Sequence, residues 1–270
     1  MKIKDVLVYL DNDTACETRV LSAANLCVQF DAHLAGLYLM RKTAIPTYPG
    51  APMSVGVYDI LDEYSLEQSQ SAQLVFSEQT NAAGISAEYR EIEGDVTQML
   101  NVHSRYTDLA VIPLQQEKDS NLNTYYLPTS FLLGSACPVL ALPDIKPITR
   151  APQSVLVAWD GSREAARALK AALPLLHYAE KVDVVSIASN DAEAMDITHH
   201  ISRHGIEAET HLIKGSASDA GQLLLEQTLL LGSQLLVMGA YGHSRLREQI
   251  LGGATKYVMQ HAQLPVLFSH

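Results

Sequence analysis

The same short pattern occurs twice in the chain. Residues 4–11 and residues 153–160 are runs rich in β-branched side chains that end on an aspartate, Asp11 in the first and Asp160 in the second. Further along, residues 108–113 parallel residues 234–239, and residues 137–142 parallel residues 264–269. Three correspondences in the same order indicate an internal duplication. A proline-rich stretch separates the copies, which predicts one domain at 1–145 and another at 152–270.

Strand and helix signals alternate through the second copy. Strands are predicted at 154–158, 182–188, 207–213, 235–238 and 265–268. Four helices are predicted: one after an N-cap at Ser162, one at about 191–204, one from Ser216 or Ser218 to Gly232, and one from about 254. In the third of these helices the inward residues are predicted to be Ala220, Leu223, Leu224, Leu230 and Leu231. Short apolar strands separated by helices require a parallel sheet with right-handed crossovers. We therefore predict an α/β protein with two tandem doubly wound, Rossmann-like, five-stranded parallel sheets, each in the order 3-2-1-4-5.

The first copy departs from this plan after its second strand, where it carries an extra segment at 41–53. Prolines at 46, 49 and 52 exclude a helix or a central strand, so the segment is predicted to be a surface loop. It is either a lid or contact surface, or an ordinary surface insertion.

Charge and composition limit the partners. The net charge of −11 argues against nucleic acid and anionic membrane surfaces, because both need clustered lysines and arginines. No apolar run approaches the roughly 18 residues that a membrane span needs. The N-terminus lacks signal-peptide features, and the three cysteines form no Cys-x-x-Cys pair, which together predict a cytoplasmic protein.

The glycines near the end of the second copy predict a phosphate-binding loop. Its fourth strand ends on Gly239, Gly242 follows, and Gly252 and Gly253 precede a helix. Glycine allows backbone N–H groups to approach a ligand, and a helix N-terminus adds unpaired donors and a positive dipole end. Ligands bind such sheets where the strand order reverses, so Asp160 and the loop would share one crevice. The alternatives are a turn aspartate at position 160 and glycines that only mark turns.

The spacing Gly239-x2-Gly242-x9-Gly252, followed by Thr255, resembles the nucleotide-binding signature of the universal stress protein family. Residues 157–162 and 264–267 resemble that family's first-strand and last-strand segments. The likeness is close over the second copy and extends to the first only in plan. It implies a tandem universal stress protein that binds ATP, with or without Mg²⁺. Gly253 stands where the family pattern has a hydroxyl, which Thr255 would have to supply.

The resemblance implies adenine near Asp160 and the second strand, and phosphates on the glycine loop. The implied cofactor-binding residues are Ala158, Asp160, Ile187, Met238, Gly239, Gly242, His243, Arg245, Gly252, Gly253, Ala254 and Thr255. His243 and Arg245 are equally well explained as exposed loop residues. No catalytic residue or metal ligand is assigned, and His200 and His204 are interpreted as part of a solvated helix face.

The first copy lacks this loop. Pro113 and Gln116 replace Gly239 and Gly242, and Glu117 and Asp119 would repel phosphate. We therefore predict one nucleotide site per chain, in an ATP-binding regulatory or stress-response protein. The alternatives are a scaffold or small-molecule-binding protein without nucleotide, or a slow ATPase. The expected assembly is an intramolecular pseudo-dimer of the two halves, and a further homodimer is left open.

Overall fold

The computed structural model of the chain describes residues 2–40, 55–114, 127–188, 195–240 and 253–270. The loop predicted at 41–53 lies outside these residues. Within them, no helix has both the length and the apolar character that crossing a membrane requires.

Both halves alternate strands and helices. The first half contains β1 (Asp5–Leu10), α1 (Cys16–Phe30), β2 (His33–Met40), α2 (Val55–Ala83), β3 (Ala87–Glu93), α3 (Val96–His103), a 3₁₀ turn (Ser104–Tyr106), β4 (Leu109–Pro113), α4 (Leu127–Gly134) and β5 (Val139–Leu142). The second half contains β6 (Ser154–Ala158), α5 (Arg163–Leu176), β7 (Lys181–Ala188), α6 (Met195–Ser202), β8 (Glu209–Lys214), α7 (Ala220–Leu231), β9 (Leu235–Gly239), α8 (Gly253–His261) and β10 (Val266–Ser269).

The strands of each half follow the predicted order. The first half reads β3-β2-β1-β4-β5, and the second reads β8-β7-β6-β9-β10, so each is 3-2-1-4-5 in its own numbering. All pairs within a half are parallel. The α/β, doubly wound fold class is therefore confirmed.

The two sheets join edge to edge, which the sequence did not predict. The last strands of the halves pair antiparallel, with Leu140 opposite Leu267, so the described strands form one ten-stranded sheet. All four residues of β5 are buried. An unpaired edge made of such a strand would expose backbone donors and acceptors beside apolar side chains, and the pairing satisfies them.

Helices cover both faces of the sheet. One apolar core lies under α1, α2, α5 and α6, and the other lies under α3, α4, α7 and α8. The segment between the halves packs on α1, since the backbone N–H of Ala151 donates to Gln29 Oε1 at 2.6 Å and that of Ile148 donates to Ser22 Oγ at 3.0 Å. The domain limits of 1–145 and 152–270 remain a prediction.

Candidate functional site

The strand order of the second half brings the ends of β6 and β9 together. Val157 of β6 lies opposite Val237 of β9, and on its other side β6 pairs with β7. Asp160 follows β6 and Gly239 ends β9, so both lie at the carboxyl edge where the strand order reverses. This edge is the usual ligand position in open parallel sheets.

Asp160 also builds the turn into α5. Its Oδ1 accepts a hydrogen bond from the backbone N–H of Ser162 at 3.0 Å, and Gly161 adopts a left-handed φ of 74°. Ser162 then caps the helix, because its hydroxyl accepts from the N–H of Ala165 at 3.1 Å. The turn role left open by the sequence is therefore present, and the ligand role of Asp160 remains a prediction.

Gly239 is required by packing. A Cβ at this position would lie 2.6 Å from the backbone N of Ala165 and 2.6 Å from the backbone C of Glu164. Real Cβ contacts with backbone atoms are not this short, so only glycine lets the first turn of α5 approach the end of β9. Gly239 therefore has a packing role between α5 and β9, and this role does not depend on a bound ligand.

Three further predicted site residues share one face of the sheet. Ala158, Ile187 and Met238 all belong to the core under α7 and α8. Met238 is buried, and the other two are half-buried at the carboxyl ends of their strands. This is also the face from which α8 begins.

The start of α8 presents exposed backbone. Gly253 is its first residue and is exposed, and among the described residues no atom beyond its chain neighbours and its own helix lies within 4 Å of the position of a Cβ. Ala254 is half-buried, and Thr255 is 3% exposed. Thr255 is thus enclosed by protein, while Gly253, the first residue of the helix, is exposed. Four predicted site residues, Gly242, His243, Arg245 and Gly252, lie outside the described residues.

Two residues near the crevice were not predicted. Glu164 is 2% exposed and its carboxylate accepts a hydrogen bond from Arg163 Nε. Burial raises the pKa of Glu164, but the bond from Arg163 and one from its own backbone N–H outweigh this effect and leave the pKa below its usual value. His270 Nδ1 donates to the carbonyl of Ala240 at 3.1 Å and so helps to fix the residue where the glycine loop begins. Glu164 could have been found from the sequence, because an acidic residue follows the predicted N-cap Ser162 in the first turn of the helix. The sequence contains no comparable signal for His270.

A cluster of potential metal ligands lies at the other end of the strands. The ligand atoms of Asp183, Glu209 and His211 lie within 4.8 Å of one another. Asp183 is fully buried, with His211 Nε2 at 2.7 Å and Lys181 Nζ at 3.0 Å from its carboxylate oxygens. Because the lysine already neutralises this carboxylate, we assign no metal to the cluster.

The predicted pair His200 and His204 brings the two rings into an edge-to-face contact, with centroids 5.0 Å apart. His200 lies in α6, and His204 follows that helix.

The first half differs at the equivalent edge. Val8 lies opposite Val111 as Val157 lies opposite Val237, so Pro113 occupies the position of Gly239. Proline has no N–H to offer to a phosphate. Residues 116, 117 and 119 lie outside the described residues.

The two aspartates also have different neighbours. Arg19, 2% exposed, donates from Nη2 to Asp11 Oδ1 at 2.7 Å and from Nε to the carbonyl of Tyr9 at 2.8 Å. In the second half the matching helix position is Ala168, which is also buried. Asp11 is thus neutralised by an arginine that Asp160 lacks at this helix position.

These features define an α/β protein with a doubly wound sheet and a glycine-ended strand at its switch point. Residues 152–270 match the universal stress protein family. Over 127 residues the chain is 29% identical to a universal stress protein of Synechocystis sp., a match that spans 42% of this chain and 41% of that protein's length. Residues 152–270 are therefore a universal stress protein domain, and the resemblance predicted from the sequence is confirmed.

The fold of the whole chain also has known counterparts. A universal stress protein from Archaeoglobus fulgidus superposes with a TM-score of 0.77 at 18% identity, covering 98% of this chain and 97% of that one. A protein of unknown function from Pseudomonas aeruginosa superposes with a TM-score of 0.62 at 16% identity, covering 99% and 92%. At these identities the likeness shows a shared fold.

Proposed function

We propose that the chain is an ATP-binding regulatory or stress-response protein with one nucleotide site, in its C-terminal half. The observation that supports this proposal is that Asp160 and Gly239 follow the neighbouring strands β6 and β9 at the switch point, and that α8, which begins at Gly253, leads into β10 beside β9. A helix N-terminus favours phosphate through its unpaired N–H groups and its dipole. The overall charge of −11 makes such local donors necessary, since the global field repels an anion.

In this proposal the two ends of the nucleotide use different residues. The carboxylate of Asp160 accepts hydrogen bonds from the sugar or base, and the apolar side chains of Ala158, Ile187 and Met238 contact the flat base. The phosphates lie on the loop that ends at Gly253 and Ala254, with Gly242, His243, Arg245 and Gly252 as the remaining proposed contacts. Thr255 supports the first turn of α8 from its buried position.

The nucleotide acts in this account as a bound regulator. Phosphoryl transfer would need a base or a water-positioning group beside the γ-phosphate, and we assign none. We further propose that the antiparallel pair of β5 and β10 makes the two halves an intramolecular pseudo-dimer.

Nucleotide release and calorimetry test the proposal. The purified protein is denatured and its supernatant analysed for nucleotide, and the emptied protein is then titrated with ATP and ADP, with and without Mg²⁺. We expect Asp160→Asn to weaken ATP binding about tenfold, because it keeps an acceptor for the Ser162 N–H but removes the charge. The matched control is Asp144→Asn, at an exposed position in the segment between the halves.

A folded wild-type protein that binds neither ATP nor ADP contradicts the proposal. Equal ATP affinities for Asp160→Asn and the control would remove Asp160 from the site. Phosphate release that disappears with ATP binding in the same variants would favour the slow ATPase instead.

A further inference from the structure

The two halves expose opposite charges on one face of the sheet, the face covered by α1, α2, α5 and α6. α2 contains five acidic residues and no lysine, arginine or histidine. On α1, Glu17 is exposed, whereas Arg19, the one cationic residue of that helix, is buried. α5 contains three cationic residues and one acid, Glu164, which is buried. The first half therefore presents an acidic layer, α1 and α2, and α5 gives the second half a basic one.

The exposed charged and apolar residues of α2 lie on one side of the helix. Glu63, Glu67 and Glu78 are exposed, and Leu66 and Leu74 are 53% and 63% exposed. At 3.6 residues per turn these five positions fall within about 120° of one another around the helix axis. α2 thus presents an outer stripe in which leucines lie between carboxylates.

The cationic residues of α5 also lie on one side of their helix. Arg163, Arg167 and Lys170 are exposed and follow one another at intervals of four and three residues. This spacing aligns side chains along a helix. Arg203, directly after α6, is a further exposed cationic residue. The outer side of α5 and the end of α6 therefore suit a partner that exposes carboxylates.

Exposed apolar side chains lie where the acidic and basic layers meet. Tyr178, two residues after α5, packs edge to face on Phe30 at the end of α1, with ring centroids 5.6 Å apart. Tyr178 and Val28 of α1 are both exposed. Protein interfaces combine an apolar core with a polar rim. This face supplies apolar groups at its middle and charges of opposite sign on either side.

The strand order makes this pattern self-complementary. The join of β5 and β10 lies at the middle of the sheet, with the first half on one side of it and the second half on the other. A two-fold axis parallel to these strands, with two copies stacked face to face, brings the acidic layer of each copy onto the basic layer of the other. Such a contact is isologous and closes at two copies. A two-fold axis across the strands would instead set like charges against each other, which is unfavourable.

We propose that two copies of this chain form this dimer, with α1 and α2 of one copy on α5 and α6 of the other. The inner edges of the two sheets are not available to a partner, because β5 and β10 pair with each other within the chain. The net charge of −11 repels two copies at a distance, so the dimer depends on the local pairing of opposite charges and on the apolar contacts. It stands whether or not the second half binds ATP.

Charge reversal of each layer tests the dimer, with sedimentation velocity of the full chain as the measurement. One triple variant carries Glu63→Lys, Glu67→Lys and Glu78→Lys, and the other carries Arg167→Glu, Lys170→Glu and Arg203→Glu. We expect the wild type to be a dimer, and each triple variant alone to dimerise at least about tenfold more weakly, because its two layers then have the same sign. An equimolar mixture of the two variants should form a dimer again, because the layers have opposite signs at both contacts.

The matched control is Glu226→Lys combined with Lys256→Glu, which reverses two exposed charges on α7 and α8 and should leave the dimer unchanged. The return of the dimer in the mixture also distinguishes lost charge pairing from misfolding, since two misfolded variants would not restore it. A monomeric wild type, assemblies larger than two copies, or a dimer that survives either triple reversal would overturn the proposal. A mixture that stays monomeric would overturn it as well.

Discussion

At the end of the fourth strand the first half has Pro113 and the second half has Gly239, in the same register of the same kind of sheet. At the end of the first strand each half has an aspartate, but Arg19 binds Asp11 while Ala168 stands at the matching position near Asp160. After the second strand the first half has the long helix α2, and the second half has the short helix α6. One sheet plan therefore supports two different carboxyl edges. One ends its fourth strand on a proline, which has no N–H to offer, and the other ends it on a glycine that the first turn of α5 approaches closely.

The packing at Gly239 is the sharpest difference, and its removal should have the largest effect. Gly239→Val should lower the free energy of unfolding by about 3 kcal/mol, because its Cβ meets backbone atoms of α5 that cannot move aside. Urea unfolding followed by the fluorescence of Trp159 measures it. Gly253→Ala is the control, since a Cβ there meets no other described residue within 4 Å and should change stability by less than about 0.5 kcal/mol. Equal losses at both glycines would contradict the packing role.

The ion pair between Arg19 and Asp11 is a feature of the first half that the matching helix position of the second half, Ala168, does not provide. Arg19→Ala should cost about 2 kcal/mol of unfolding free energy, because it leaves the partly buried Asp11 carboxylate and the Tyr9 carbonyl without their partner. Arg167→Ala, at an exposed position of α5, is the matched control and should cost less than about 0.5 kcal/mol. Denaturant midpoints of the two variants decide the question. A cost at position 19 no greater than at position 167 would show that the pair contributes nothing.

Gly253 is the weakest point of the proposed nucleotide site, and it can be strengthened. Gly253→Ser should tighten ATP binding about tenfold, because a hydroxyl at the start of α8 can donate to a phosphate and a Cβ there meets no other described residue within 4 Å. Gly253→Ala controls for the added Cβ and should leave the affinity near that of the wild type. Calorimetry with ATP compares the two. An affinity for the serine variant equal to that of the alanine variant would place the phosphates elsewhere.

The helices that follow the first strand of each half, α1 and α5, begin with different capping. We expect this to produce a smaller difference in unfolding free energy. Ser162→Ala should cost about 1 kcal/mol, because the hydroxyl that caps α5 is lost. Ala15→Ser should gain almost nothing, since Ala15 has helical angles of φ −80° and ψ −5° that do not suit a side-chain cap. Unfolding curves of both variants test the pair. A gain at position 15 as large as the loss at position 162 would contradict it.

The sequence predicted the strands well because each is a short apolar run between polar or glycine-rich stretches. The strand predicted at 154–158 is β6, and the run at 235–238 is β9 with one more residue, Gly239. The joining of the sheets was not predictable in this way, because a buried edge strand such as β5 has the same pattern as a strand that ends a sheet.

Helix faces were predicted less accurately. Leu230 of α7 was expected to face inward but is 76% exposed, whereas Thr228 on the same helix is buried. The helix is apolar on several sides, so periodicity could not select the buried one. Its start was also misplaced, because Asp219 and not Ser216 or Ser218 precedes its first residue.

The candidate site was predicted only where its position follows from topology. Asp160 and Gly239 lie at the same edge of the sheet because strands one and four are neighbours, as the predicted order requires. The burial of Arg19 was not foreseen, since a charged residue on a helix normally faces solvent.

We propose that only the second half binds nucleotide, and the number of nucleotides bound per chain is the sharpest test of this proposal. Native mass spectrometry of the protein saturated with ATP should show one nucleotide per chain, and Gly252→Val should reduce this to none. Two nucleotides per chain, or one that persists in Gly252→Val, would contradict the claim.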